Sequence, residues 1–203
     1  MLLSIALIVG AYLLGSIASA IIVSRMMGLG DPREGGSGNP GATNVLRLGG
    51  KKAAAITLLG DVLKGLLPVL IGAALNQPLW VLGAIAVAAF LGHLYPIFFG
   101  FKGGKGVATA VGAILGLSGW LALALIATWL LVVLLTRYSS LAALVSAALA
   151  PAYALALTAP VYAYAVAAIA ALLIWRHRAN IRRLMAGEED KIGAKSKANA
   201  STE

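Results

Sequence analysis

Seven apolar runs parted by short polar breaks organise the chain, at residues 2–24, 53–75, 79–99, 107–117, 120–136, 139–157 and 161–175. An α-helix needs roughly 20 such residues to cross about 30 Å of hydrocarbon. The pattern therefore predicts an all-α polytopic membrane protein, a single domain of seven transmembrane helices. One stretch, Val107–Leu135, reads either as a long tilted helix or as two helices parted at Ser118-Gly119. Charge decides between them. With two helices, the basic residues of Arg25–Lys52, Lys102, Lys105, Arg137 and Arg176–Lys197 all fall on one side, as the positive-inside tendency requires. That places the N-terminus outside and the C-terminus in the cytoplasm. No basic segment precedes Leu2, so the first run reads as a retained helix and not as a cleavable signal. The fourth helix is short: even from Gly103 to Leu117 it would cover only about 22 Å. Its basic start is expected in a protein-lined recess below the headgroups. Residues from about 192 to 203, small and polar, read as a disordered tail.

Composition narrows the class further. The chain is 61% hydrophobic and 11% charged, with mean hydropathy +0.93, values foreign to soluble domains. A net charge of +9 suits nucleic acid, anionic lipid or an anionic substrate. Its confinement to one membrane face points to the last two and to no nucleic-acid partner. The absence of cysteine excludes disulfides, a thiol nucleophile and thiolate metal sites.

Chemistry concentrates in three polar segments. The first, Gly35–Arg47, reads as a loop of glycines and short donors: Ser37, Gly38, Asn39, Thr43 and Asn44, with Arg47 supplying a planar fork. Successive N–H groups in such a loop form a nest for phosphate. Gly36-x-Gly38-x-x-Gly41 matches the dinucleotide fingerprint, but no βαβ context surrounds it, so that reading is rejected. The second segment, Gly100–Thr109, holds Lys102, Gly103, Gly104 and Lys105 ahead of a helix. It lacks the Walker spacing, yet a helix N-terminus beside Lys105, with Thr109 in the first turns, favours an anion. In the third, a helix starting near Arg176 brings His177, Asn180, Ile181 and Leu184 onto one face and turns Arg178 and Arg182 elsewhere. Between the segments, Asp61 and Lys64 lie three apart and about 12 Å into the second helix. They read equally well as an internal ion pair or as the rim of a site. His93, before Tyr95-Pro96, is expected to bond loop backbone, since no neighbouring carboxylate tunes it as a base.

Together the segments resemble the three cytoplasmic motifs of the bacterial acyl-phosphate:glycerol-3-phosphate acyltransferase (PlsY) family. Gly-Ser-Gly-Asn-Pro-Gly-Ala-Thr-Asn, Lys-Gly-Gly-Lys-Gly-Val-Ala-Thr and Arg-His-x-x-Asn-Ile-x-Arg-Leu…Gly-x-Glu-x-Lys-Ile-Gly occur here in the family's order. Asp61-x-x-Lys64-Gly65 and His93-Leu94-Tyr95-Pro96 extend the match over nearly the whole chain. The resemblance implies an inner-membrane enzyme, active-site side to the cytoplasm, that acylates the 1-hydroxyl of glycerol 3-phosphate from acyl phosphate. The products would be lysophosphatidic acid and phosphate. Its partners would be these two substrates and membrane lipid; the chain is expected as a monomer without cofactor or metal. By matching position, Ser37, Asn39, Asn44, Arg47, Lys105, His177, Asn180 and Glu189 would form the site, with Ser37, Lys105, His177 and Asn180 nearest the chemistry. The His-x-x-x-x-Asp dyad of other glycerolipid acyltransferases is absent: Phe98 follows His93 at that spacing, and Arg182 follows His177. Another proton acceptor is needed, and the departing phosphate is one. A transporter for anionic metabolites is the competing class, disfavoured because the polar residues gather at one face.

Overall fold

The computed structural model describes residues 1–192. It is all-helical there: α1 (Leu2–Gly15), α2 (Ser19–Met26), α3 (Ala42–Ala74), α4 (Leu79–Leu94), α5 (Val107–Leu117), α6 (Gly119–Thr136), α7 (Ser139–Leu157), α8 (Val161–Arg176) and α9 (Arg178–Met185). A 3-10 turn, Ile97–Phe99, follows α4. Among the described residues, four helices are long and apolar enough to cross a membrane: α3, α4 with its 3-10 turn, α6 and α7. The α1–α2 pair makes a fifth if taken as one bent span, while α5 and α8 are shorter apolar helices.

Two expectations need correction. The run 2–24 is not one helix; it bends by 40° between Gly15 and Ser19. A Cβ at Gly15 would clash with the Ala89 backbone, so α1 and α4 approach as closely as main chains can. The Ser16 hydroxyl turns back onto Tyr12 O at 2.8 Å. The bend leaves Ile17 O without a helical partner, and Lys64 Nζ donates to it at 2.8 Å. Broken backbone at membrane depth needs such a donor. The second correction concerns α3, which begins at Ala42 and not at residue 53. Half of the expected Gly35–Arg47 loop is therefore helical, so Thr43, Asn44 and Arg47 sit on a helix. Gly50 (φ 76°, ψ −173°) interrupts α3 between that polar turn and the apolar span.

Ser118 parts α5 from α6: its backbone is extended and its side chain accepts from Leu121 N at 3.3 Å, an N-cap. Val81, Ile85, Phe90 and Leu94 of α4 are fully buried, making α4 the axis of the bundle. On the α3–α5 seam, a Cβ at Gly65 would clash with Thr109 O and one at Gly112 with Val62 O. Small residues permit this contact, which van der Waals packing rewards in a membrane. By contrast, Leu123, Leu130, Leu131, Leu134 and Leu135 of α6 are exposed, a surface suited to lipid. The tail expected to be disordered from about 192 is anchored at its first residue. Ile192 N donates to Arg137 O at 2.8 Å, and Arg137 Nη2 donates to Ile192 O at 3.0 Å. Residues 193–203, including Lys195 and Lys197, lie outside the described residues.

Candidate active site

The first loop is built around Asn44. Its Nδ2 donates to Pro32 O (2.8 Å) and Gly35 O (3.0 Å), while its Oδ1 accepts from Ser37 N (2.8 Å). Both amide protons are spent on the loop, and the residue is 1% exposed. Asn44 thus braces the loop, in contrast to the expected phosphate contact. Bracing leaves Ser37 and Gly38 exposed and Asn39 half-buried at the surface of the loop. Thr43 points to solvent. Arg33 grips Asp31 bidentately, at 2.6 Å through Nη2 and 3.0 Å through Nε, and Nη1 reaches Phe99 O at 3.1 Å. The first loop is thereby tied to the turn after α4.

The second loop, Gly100–Gly106, ends at Gly106 with φ 83°, where a Cβ would strike the Phe90 ring. Gly103 and Gly104, expected as ligand-approach residues, also serve packing, and only Gly103 lines the recesses described below. A Cβ on either would clash with His93. Their carbonyls face outward to Arg176, whose Nη2 donates to Gly103 O at 2.8 Å and whose Nε donates to Gly104 O at 3.2 Å. Arg176 was not singled out as a site residue; it opens the Arg-His-x-x-Asn motif and is the first charge after an apolar run. Lys105 follows the clasped turn. Burial pushes its ammonium down to about 8, with Arg183, Arg176 and Arg47 adding to the shift and Glu189 opposing it.

Thr109, Asp61 and Lys64 do not reach the site's surface. Thr109 is fully buried and its hydroxyl meets His93 Nδ1 at 3.1 Å. Asp61 pairs with Lys64 at 2.9 Å, both almost wholly buried. His93 does have a carboxylate neighbour, Asp61 at 3.6 Å, which sequence adjacency could not reveal across 32 residues.

In the third segment, His177 and Asn180 are buried and Arg178 and Arg182 exposed. His177 Nδ1 lies 2.8 Å from Leu173 O. A carbonyl only accepts, so Nδ1 carries the proton and Nε2 keeps its lone pair. Burial first, then Lys105 and Arg176, pushes the imidazole down to about 4; it is neutral at pH 7. Glu189 accepts from Asn180 Nδ2 (2.6 Å) and Arg183 Nε (2.7 Å). Burial would raise its carboxyl, but the hydrogen bonds from Asn180 and Arg183 hold it low. Glu189 therefore organises its own segment, in contrast to the expected ligand contact. Arg47 pairs with Asp190 at 3.2 Å.

Two adjoining recesses open between these segments. One, of about 230 Å³, is walled by Ser37, Asn39, Lys105 and Arg178; the other, of about 290 Å³, by Arg33, Phe101 and Lys102. Gly38, Gly103 and Arg176 form the partition common to both. The smaller recess holds the Ser37 hydroxyl and the half-buried Lys105 ammonium. Arg178 stacks on Trp175 at 5.1 Å and also contributes to that wall, nearer the site than its helical position suggested.

The family model for glycerol-3-phosphate acyltransferase matches residues 5–187. A glycerol-3-phosphate acyltransferase of Thioalkalivibrio sulfidiphilus is 61% identical over 97% of this chain and 98% of its own length. One from Halorhodospira halophila is 57% identical, covering 95% and 98% respectively. Among solved structures, the glycerol 3-phosphate form of PlsY, an integral membrane glycerol 3-phosphate acyltransferase, superposes with a TM-score of 0.88. It is 42% identical over 94% of this chain and 96% of that one. The lysophosphatidic acid form superposes with a TM-score of 0.84 at 40% identity, covering 94% and 95%. On this family match and these identities over nearly its full length, the chain belongs to the glycerol-3-phosphate acyltransferase family.

Proposed function

We propose that the smaller recess transfers a fatty acyl group from acyl phosphate to the 1-hydroxyl of glycerol 3-phosphate. The products are lysophosphatidic acid and inorganic phosphate. The observation that carries this reading is a half-buried Lys105 facing an exposed Ser37, with Arg176 and Arg178 in the same wall. Two phosphate groups carry about −1.5 to −2 each at neutral pH, and these cations offset their repulsion. The hydroxyl oxygen attacks the acyl carbonyl, a tetrahedral intermediate forms, and the carbon–oxygen bond to phosphate breaks. Lys105 shares the charge that develops on the leaving phosphate. The hydroxyl proton passes to a phosphate oxygen, so the donor itself acts as base. Ser37 orients the reactants without becoming acylated, and His177, buried and lining neither recess, stays neutral. Purified protein given acyl phosphate and radiolabelled glycerol 3-phosphate should form lysophosphatidic acid; none formed would end this reading.

The proton route has its own test. Donor supplied without acceptor should leave no acyl group on Ser37 by intact-mass measurement. His177→Gln, which retains a hydrogen-bonding side chain, should lose much less than the 10²–10⁴ typical of a missing general base. Trapped acyl-enzyme, or a loss of that size with both KM values unchanged, would contradict donor-assisted proton transfer.

The chain is read as crossing a bacterial inner membrane seven times: the α1–α2 pair and α3 to α8 in turn, N-terminus outside and the recesses toward the cytoplasm. The one-sided basic residues support this. Single cysteines at Gln77→Cys and Gly119→Cys should react with an impermeant thiol reagent in intact cells. Those at Lys51→Cys, Lys102→Cys and Arg182→Cys should react only after permeabilisation. Labelling of Arg182→Cys from outside would exclude the seven-span arrangement.

A further inference from the structure

A buried polar set lies beneath the second loop and touches neither recess. Asp61 and Lys64 of α3, His93 in the last turn of α4 and Thr109 of α5 are each at most 6% exposed. Asp61 pairs with Lys64 at 2.9 Å and stands 3.6 Å from His93 Nδ1, which Thr109 Oγ1 meets at 3.1 Å. The nearby carboxylate favours the proton on Nδ1, so Nε2 is turned the other way. Nε2 has no hydrogen-bond partner among the described residues and abuts Gly104, where a Cβ would clash with it. Gly103 rests on the His93 and Leu94 carbonyls, where a Cβ would likewise clash. Stability alone does not account for such a set, because well-packed apolar residues in place of buried ion pairs are often neutral or stabilising. What the set does uniquely is present one rigid imidazole edge to the turn that precedes Lys105.

We propose that Asp61, Lys64, His93 and Thr109 are positioning residues for Lys105, holding the Gly103–Gly104 turn from the bundle side while Arg176 clasps its carbonyls from the other. This rests on the reading that Lys105 serves the acyl transfer. Lys64 carries the link further: by capping Ile17 O it fixes the α1–α2 bend to the same set. The turn is then held between two fixed walls, and the ammonium stays where the bundle buries it. The charged and titratable groups that face Lys105 are Arg47, Arg176, Arg183, Glu189 and His177. None belongs to the buried set, so a change in the set reaches Lys105 through the position of the turn.

The test uses the full-length protein in the acyl-phosphate assay across pH. Wild type should lose kcat/KM as pH rises through about 8, where Lys105 gives up its charge. His93→Ala and the near-isosteric Thr109→Val should each lower kcat/KM by at least about fivefold. Both should also move that alkaline limb up by about one unit, as a loosened turn lets Lys105 regain solvent and approach its ordinary value near 10.4. Gly104→Ala should be worse alone than on the His93→Ala background, where the clash with the imidazole is gone and only the tight contact with Pro40 O, at 3.0 Å, remains. A limb that stays at wild-type pH in His93→Ala and Thr109→Val overturns the proposal, whether or not rate is lost. Equal penalties for Gly104→Ala on both backgrounds overturn it as well. If His93→Ala does not fold, the limb in Thr109→Val decides. Wild type inactive with acyl phosphate would count instead against the proposed reaction.

Discussion

Lys105→Ala is expected to lower kcat/KM for acyl transfer by roughly tenfold to a hundredfold, since a charge-assisted hydrogen bond carries about 1.5–3 kcal/mol. The half-buried setting puts the loss toward the upper end, because little water replaces the missing charge. Lys105→Arg should recover part of the rate and remove the alkaline limb near pH 8, as guanidinium stays charged there. The sign follows from burial: the ammonium, pushed down to about 8, is charged below that pH and lost above it. Bound phosphate favours the charged form, so the limb in kcat should lie at higher pH than the limb in kcat/KM. Matching limbs in the two profiles, or an unchanged limb in Lys105→Arg, would assign the titration to another group.

Lys64→Ala should be the most damaging change to stability. It leaves Asp61 buried with its nearest cation gone and removes the shorter of the two donors to Ile17 O, leaving only Ser19 N at 3.1 Å. Breaking a buried pair from one side costs about 3–5 kcal/mol, expected here as a large fall in thermal stability of the detergent-solubilised protein. The double change Asp61→Asn with Lys64→Met removes the stranded charge, so it should be markedly more stable than Lys64→Ala. It should still be impaired in catalysis, because His93 has lost its carboxylate neighbour. A double variant no more stable than the single one would show that the ion pair is not what the bundle depends on.

Apolar run length was enough to find most of the helices, and charge was enough to divide α5 from α6 at Ser118. Polarity misled at the start of α3. Ala42–Gly49 looked like loop because membrane helices are recognised by apolarity, whereas this turn of helix stands outside the apolar span, parted from it by Gly50. The bend after Gly15 carried no proline to announce it; its donor, Lys64, comes from another helix. Glycine was ambiguous for a physical reason. Gly103 and Gly104 looked like ligand-approach residues; only Gly103 lies at the recesses, and the missing side chains of both make room for His93. Asn44 and Glu189 were placed in the right neighbourhood, but sequence position does not show whether an amide or carboxylate faces inward. Arg33 and Arg176 were not singled out as site residues because their partners are backbone carbonyls of distant loops, which leave no mark in residue type.

The shortness of α5 has a bearing on how a lipid-like donor meets a water-soluble acceptor. From the shared turn at Ser118, the 11 residues of α5 and the 18 of α6 run back about 16 Å and 27 Å. The loop bearing Lys105 therefore stops about 10 Å short of the depth that Thr136 reaches. Each methylene pulled out of hydrocarbon costs about 0.8 kcal/mol, so drawing an acyl chain up by three or four would slow the reaction by about two orders of magnitude. A sunken reaction centre spares that extraction: the small, charged partner descends to the chain, and the chain stays immersed.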